Sequence, residues 1–301
     1  MAYPIEGKVV LITGPARGIG AETARRLAQR GARLSLVGME PENLRALAKE
    51  LGAGHVWFDC DVTEQSQLER AVAGTVEALG GIDVVVANAG IASNGTVAVA
   101  PVEALVRTIE VNLIGVVRAI HATLPHVTAR AGYYLLVSSA AAFAALPGMS
   151  TYAASKSGVE QFGNVLRLEL AHKGVGVGVA HPSWINTDLV RDTQQDLQSF
   201  KETLRRLPGP LGVVTSVEDC AAAFVKAIER RSRKVYVPAS LASVALLRQF
   251  LTSRASDYLL KRRTRQIVPK VEDELRALGR SFGSNSVEIT ARPKPSNPPK
   301  P

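Results

Sequence analysis

Residues 139–156 read Ser-Ala-Ala-Ala-Phe-Ala-Ala-Leu-Pro-Gly-Met-Ser-Thr-Tyr-Ala-Ala-Ser-Lys. An apolar run at 133–137 precedes them and reads as a buried strand. From 153 to 170 the apolar positions recur with a helical period. Tyr152 and Lys156 are four apart, so on that helix they share one face, with Cβ atoms roughly 5–6 Å apart. A Lys ammonium held beside a Tyr hydroxyl favours the phenolate and lowers a pKa that starts near ~10. A Tyr tuned in this way can take or give a proton during a reaction. Ser139, thirteen residues upstream at the strand's end, is placed to hydrogen-bond the oxygen that the Tyr protonates. Tyr-x3-Lys alone is common on helix surfaces, and Ser138-Ser139 alone is a common strand-ending turn, so the rest of the chain decides.

Upstream, residues 8–13 form a short apolar run read as a strand. Gly14-Pro-Ala-Arg-Gly-Ile-Gly20 follows, then a helical pattern through Arg30. Strand, Gly-rich turn, helix is an arrangement that binds a diphosphate: glycines let the backbone approach, and the helix start offers N–H groups and partial positive charge. The spacing is Gly-x3-Gly-x-Gly, not the commoner Gly-x-Gly-x2-Gly. The alternation continues with strands at 33–37, 55–59, 82–87, 175–181 and 234–238. Helices are predicted at 41–51, 64–79 (with Thr63 as its cap), 102–129 and 217–230. Seven strands alternating with helices imply a single Rossmann-type, doubly wound, seven-stranded parallel sheet in the α/β class, with helices on both faces. Ligands then bind beyond the C-terminal ends of the strands. The Gly-rich turn, Asn88-Ala-Gly90, Ser139 and Pro182 all fall at such ends.

The 301 residues suffice for one large α/β domain, and 46% are hydrophobic. Cys60 and Cys220 are the two cysteines and have no C-x-x-C spacing, so a disulfide framework and a thiolate metal site are both disfavoured. From the charge and hydropathy of residues 1–8 a secretory leader is not expected, no uncharged apolar run reaches about 20 residues, and the expected location is cytoplasmic. The net charge of +9 is uneven: residues 231–270 hold ten Lys/Arg and one acid, while residues 1–230 hold 21 basic and 22 acidic side chains. The body is near neutral, so the overall charge is no argument for nucleic-acid binding.

Thr13-Gly-x3-Gly18-x-Gly20, Asn88-Ala-Gly90, Asn112, Ser139, Tyr152-x3-Lys156 and Pro182-x4-Thr187 fall in the order and spacing of the short-chain dehydrogenase/reductases. The resemblance covers about residues 5–240. It implies an NAD(P)-dependent enzyme that interconverts a secondary alcohol and a ketone by hydride transfer. Tyr152 would be the general acid/base and Ser139 would steady the substrate oxygen. Lys156 would lower the Tyr pKa and bond the nicotinamide ribose, and Asn112 would bend the long helix and hold a water linked to Lys156. Gly14, Arg17, Gly18, Ile19 and Gly20 would surround the diphosphate and adenosine ribose. Asp61 and Val62 would read the adenine edge, Asn88 and Gly90 would lie under the ribose, and Ile185 and Thr187 would hold the carboxamide. Relatives form dimers or tetramers through their long helices, so a homodimer or homotetramer is expected.

Where NAD-preferring relatives place an acid after the second strand, this chain has Gly38 and Met39. Arg17 is placed to pair with a 2′-phosphate, so NADP is expected and NAD is the alternative; Glu40 argues the other way. Ala87 stands where a first Asn is frequent, which puts one sheet-bracing hydrogen bond in doubt. Ser183 replaces a usual Gly. Phe143, Leu146, Met149, Trp184 and Leu189 are candidate pocket residues; all are uncharged, which hints at a lipophilic substrate. Residues 188–215 read as a mobile lid.

The division expected is a catalytic domain at 1–240, a basic helical extension at 241–280 and a disordered tail at 281–301. In the extension, 240–260 and 270–278 read as two helical stretches. Three roles compete for it: packing on the domain or a neighbour, lying on an anionic membrane surface through 241–270, or, least favoured, nucleic-acid binding. Two function classes stay open, an active oxidoreductase and a cofactor-binding regulatory or scaffold protein with an idle site. The complete set Asn112, Ser139, Tyr152 and Lys156 favours the first.

Overall fold

Val-Val-Leu-Ile-Thr, residues Val9–Thr13, forms β1 with every residue buried. A strand hidden on both faces reads as an unbroken apolar run, not an alternating one. The same pattern gives β4 (Val84–Ala87) and β5 (Tyr133–Val137). The computed structural model describes residues 3–283 other than 252. Around these strands the chain lays down α1 (Gly18–Ala28), β2 (Arg33–Gly38), α2 (Pro41–Leu51), β3 (Val56–Asp59) and α3 (Gln65–Leu79). After β4 come α4 (Val102–Ile109) and α5 (Gly115–Ala129); after β5 come α6 (Ser150–Glu169), β6 (Gly176–Pro182) and β7 (Trp184–Ile185). Next are α7 (Asp188–Asp196), α8 (Gln198–Arg205), β8 (Val214–Thr215), α9 (Val217–Arg230) and β9 (Lys234–Val237).

The main sheet has seven parallel strands, as the sequence pattern predicts, and their order is β3-β2-β1-β4-β5-β6-β9. β7 and β8 pair in a separate two-stranded sheet that the pattern does not signal. One apolar core joins α1, α2 and α9 to one face; a second joins α3, α5 and α6 to the other. The strand order reverses between β1 and β4, which opens a crevice at their C-terminal ends.

Three expectations change. The helix predicted over 102–129 is interrupted by a π-helical turn at Glu110–Ile114, centred on Asn112. Such turns admit an extra residue and bend a helix, and here the Asn112 side chain, which bonds outside its own helix, sits in the interruption. Thr63 does not cap α3: its hydroxyl donates to Asp61 Oδ1 at 2.8 Å, and no side chain caps that helix. The extension is built as α10 (Leu241–Leu246), α11 (Arg248–Leu251) and a 25-residue α12 (Arg254–Leu278), not as stretches at 240–260 and 270–278. Ser253, whose hydroxyl accepts from Ser256 N–H, starts α12 afresh. Pro269 sits inside α12; a Pro costs a helix one hydrogen bond, and the packing of the helix's second half on α8 holds it together across that point.

Ser281 and Phe282, assigned to the tail by their composition, dock on the domain: Asn94 N–H donates to Ser281 O at 2.6 Å, and Phe282 packs against the second core. The remainder of the expected tail, 284–301, lies outside the described residues.

Candidate active site

Parallel register brings the motifs together. Thr13 pairs with Ala87, so Gly14 and Asn88 leave neighbouring strands side by side. Val137 pairs with Ala180, which sets Ser138 and Ser139 beside His181 and Pro182. Gly14 has φ +65°, and a Cβ there would lie 2.8 Å from Ala89 Cα; at Gly20 a Cβ would lie 2.6 Å from Gly14 O. Only glycine fits this turn. The Asn88 amide donates to Thr13 O at 3.1 Å and to Gly14 O at 3.0 Å, and Thr13 Oγ1 accepts from the Asn88 and Ala89 N–H groups. These bonds brace the Gly-rich turn, so Ala87 leaves no gap there.

A single cleft runs along the strand ends. Gly14, Arg17, Gly18, Ile19, Gly20, Asp61, Val62, Asn88 and Gly90 line it, together with Ser139, Tyr152, Lys156, Ile185 and Thr187 and with Leu146, Met149, Trp184, Asp188 and Leu189. The Gly-rich turn, with α1 starting at Gly18, has the backbone N–H groups and close approach that a diphosphate would need, and Tyr152 lines the same cleft. Among the described residues no group of three His, Cys, Asp or Glu side chains could hold a metal ion.

At the chemical end, the Lys156 Nζ lies 5.7 Å from the centre of the Tyr152 ring and donates to Val137 O at 3.0 Å. Burial pushes Lys156 down to about 8. The phenol is not acidified by the chain alone: burial raises the Tyr152 pKa, and a hydrogen bond with Ser139 opposes that rise. Ser139 Oγ also accepts from Ala141 N–H at 3.1 Å, which fixes the turn after β5. Asn112 is fully buried and does not line the cleft. Its side chain takes the Ile91 N–H at 2.8 Å and gives to Ile91 O at 2.9 Å and Ser155 Oγ at 3.2 Å. It therefore ties the π turn to the loop after β4 and to α6, beside Gly90, where a Cβ would come within 3.3 Å of both Asn112 Oδ1 and Lys156 Nζ.

A residue with no sequence signal, Arg107, joins Asp61 in the cleft lining. Arg107 of α4 donates to Asp61 Oδ2 at 2.7 Å and to Thr63 Oγ1 at 2.8 Å, and it lines the cleft. Burial pushes the Asp61 carboxyl up, but the Arg107 guanidinium and the two Thr63 donors outweigh it and hold the pKa below its usual value. Arg17 forms an ion pair with Glu40, Nε to Oε1 at 3.3 Å.

Phe143 does not line the pocket. The short turn Ala140–Ala142 carries it away from the cleft, where its ring packs against His181 and Tyr236 at 5.7 and 6.4 Å. It belongs to a small core shared with Leu241 of the extension. Trp184 does line the cleft, and its indole N–H donates to Leu211 O at 2.8 Å. The expected lid at 188–215 is built of α7, α8 and a 3-10 turn at Gly209–Gly212. It contributes Val190, Leu207 and Leu211 to the cleft. Arg248 of α11 pairs at 3.1 Å with Glu160, which lies one turn beyond Lys156 on α6, and ties the extension to that helix.

Residues 8–198 match the family model for short chain dehydrogenase. The chain belongs to the short-chain dehydrogenase family. It is an NAD(P)-dependent oxidoreductase by that membership, and its relatives agree. It is 31% identical to a 3-oxoacyl-[acyl-carrier-protein] reductase of Bos taurus over 223 residues, 74% of this chain and 91% of the relative. It is 32% identical to an 11-beta-hydroxysteroid dehydrogenase of Pinus massoniana over 243 residues, 78% of this chain and 68% of the relative. It is also 32% identical to the glycine betaine reductase ATRR of Emericella nidulans over 232 residues, but spans only 18% of that longer protein. The short-chain dehydrogenase match ends before α9 and the C-terminal extension.

Proposed function

We propose that the enzyme reduces a lipophilic ketone, or oxidises the matching secondary alcohol, with NADP as its preferred cofactor. The observation that carries this is the meeting of Ser139, Tyr152 and Lys156 in one cleft with the Gly-rich cradle. Bound nicotinamide supplies or accepts the hydride. Gly14, Arg17, Gly18, Ile19 and Gly20 hold the diphosphate and ribose, Asp61 and Val62 the adenine, Asn88 and Gly90 the floor beneath, and Ile185 and Thr187 the carboxamide. Tyr152 Oη gives its proton to the substrate oxygen as the carbonyl is reduced, and takes it back in the reverse direction. Ser139 Oγ holds that oxygen in line. Lys156 bonds the nicotinamide ribose and stabilises the phenolate once the proton has left. Asn112 keeps Lys156 and the loop after β4 in place. Ala144, Leu146, Met149, Trp184, Leu189 and Leu211 give the cleft an apolar wall, with Asp188 the charged neighbour of Leu189, and a lipophilic ketone is the substrate class that loses least against such a wall. The names of two relatives, a hydroxysteroid dehydrogenase and an oxoacyl reductase, point to the same carbonyl chemistry.

NADP preference rests on Arg17 beside Gly38 and Met39, with Glu40 holding the guanidinium until a 2′-phosphate competes for it. Arg17→Leu is expected to lower kcat/KM for NADP by about tenfold or more, while NAD changes by less than about twofold. Steady-state rates with each cofactor check it; a tenfold wild-type preference for NAD overturns the assignment.

A homodimer or homotetramer is expected through α4 and α5, where Val102 and Val106 are exposed. A cytoplasmic location is part of this reading, and the extension supports contact with a membrane surface. Leu246, Leu247 and Phe250 stand out at 85%, 59% and 51% exposure, and Arg254, Lys261, Arg262 and Arg265 are exposed just downstream. Apolar side chains beside cations suit an anionic lipid surface. No helix among the described residues is long and apolar enough to cross a membrane. The full chain is expected to sediment with phosphatidylserine-containing vesicles and not with phosphatidylcholine alone. Replacing Leu246, Leu247 and Phe250 with Ser should abolish sedimentation; unchanged sedimentation would refute the lipid role.

A further inference from the structure

One face of the second half of α12 lies against the lid. Glu274 accepts the Ser199 N–H with both oxygens at 3.1 Å and the Ser199 hydroxyl at 2.7 Å. Ser199 is the second residue of α8, a helix with no side-chain cap of its own. The first N–H groups of a helix lack internal partners, and a carboxylate there also meets the positive end of the helix dipole. Arg280, just past α12, donates to Asp196 Oδ1 at 2.7 Å, at the last residue of α7. A third tie anchors the same segment to the catalytic domain: Thr96 Oγ1 donates to Glu272 at 2.7 Å. The joint between α7 and α8 is therefore gripped from outside by the extension.

That joint leads directly to the cleft. Phe200, next to Ser199, packs edge-on against Trp184 with ring centres 5.2 Å apart. Leu189 and Val190 line the cleft from the start of α7, and Leu207 and Leu211 from beyond the end of α8. Both flanks of the lid face substrate space while its middle is held by Glu274 and Arg280.

We propose that residues 272–283 are a working part of the substrate site, with Glu274 as a positioning residue that sets where Trp184, Leu189 and Leu211 stand. The extension then shapes substrate affinity without touching the nucleotide cradle or the proton-transfer groups. The proposal rests on the oxidoreductase reading for its kinetic readout only. Ground-state fit of a ketone depends on the lid wall, whereas proton transfer depends on Tyr152, so the effect falls on KM and leaves kcat.

The test uses the full-length protein with Glu274→Ala, Glu274→Gln and Arg280→Met, and trans-1-decalone as the ketone. Three quantities are read: tryptic cleavage at Lys201, Arg205 and Arg206 in the lid, KM against kcat, and NADPH affinity from nucleotide fluorescence. Glu274→Ala is expected to speed lid cleavage and raise KM by about tenfold each, with kcat and NADPH affinity changed by less than about twofold. Glu274→Gln, which keeps an acceptor oxygen, falls between, and Arg280→Met moves the same way. Wild-type cleavage and KM in Glu274→Ala overturn the proposal. A loss of NADPH affinity in step with KM also overturns it, because that marks general loosening. The cleavage measurement needs no turnover, so a wild type inactive on the ketone would count against the oxidoreductase reading and leave this test decisive.

Discussion

Tyr152→Phe is expected to cut kcat by about 10³-fold while the cofactor still binds, because positioned proton transfer contributes about 10²–10⁴-fold. The substitution removes one oxygen and keeps the ring. The ring's neighbour Lys156 Nζ, 5.7 Å from its centre, keeps its own bond to Val137 O. Ser139 loses its bond with the phenol but retains the Ala141 N–H donor. Nothing in the Gly14–Gly20 cradle depends on the phenol, so NADPH affinity and melting temperature should stay near wild type. Equal turnover by the two proteins would return the chain to the second class weighed from its sequence, a cofactor binder with an idle site.

Lys156→Met should pull activity and stability in opposite directions. Lys156 is 4% exposed, and burial lowers its pKa from 10.5 to about 8. Below pH 8 both folded and unfolded chains carry the proton, and the folded chain bears the full cost of a buried ammonium. Between pH 8 and 10.5 the unfolded chain binds more protons than the folded one, so stability rises with pH across that window; above it the cost is gone. The displacement corresponds to roughly 3 kcal/mol, against which the lost bond to Val137 O offsets about 1–2 kcal/mol. The variant is therefore expected to melt about 2–5 °C higher at pH 7 and to lose about 10²-fold or more in kcat. The stability gap should close and then reverse as pH approaches 10.5, because the neutral amine keeps its bond to Val137 O. A variant less stable than wild type at pH 7, or a gap constant with pH, would contradict the assignment of Lys156 as a buried charge kept for chemistry.

Several features were legible because local chemistry forces them. Apolar runs without alternation gave the buried strands, and their alternation with helical segments gave the doubly wound sheet. Gly14 and Gly20 could be read because no other residue fits where the backbone passes Ala89 and folds back on its own carbonyl. Tyr152 and Lys156 could be read because four residues of helix always place two side chains together. The family resemblance, not the local pattern of 102–129, implies a bend at Asn112, and Asn112 lies in the π turn at Glu110–Ile114.

Other features depend on which surfaces meet. Phe143 sits in the same Ala-rich stretch as Ser139, and nothing in its neighbours says that the Ala140–Ala142 turn aims it at His181 and Tyr236 instead of at substrate. Arg107 reaches Asp61 across 46 positions of sequence, from a helix whose own pattern predicts only an exposed base. The lid was read as mobile from its polar composition, yet its joint is held by side chains from the far end of the chain.

The sequence by itself determined the sheet, the Gly-rich turn and the shared helix face of Tyr152 and Lys156, since each is encoded within a few residues by steric limits and helical spacing. Only the tertiary structure decided what borders the substrate, because Glu274 finds Ser199 across 75 positions, and contacts of that span follow from how packed elements meet and not from any local pattern.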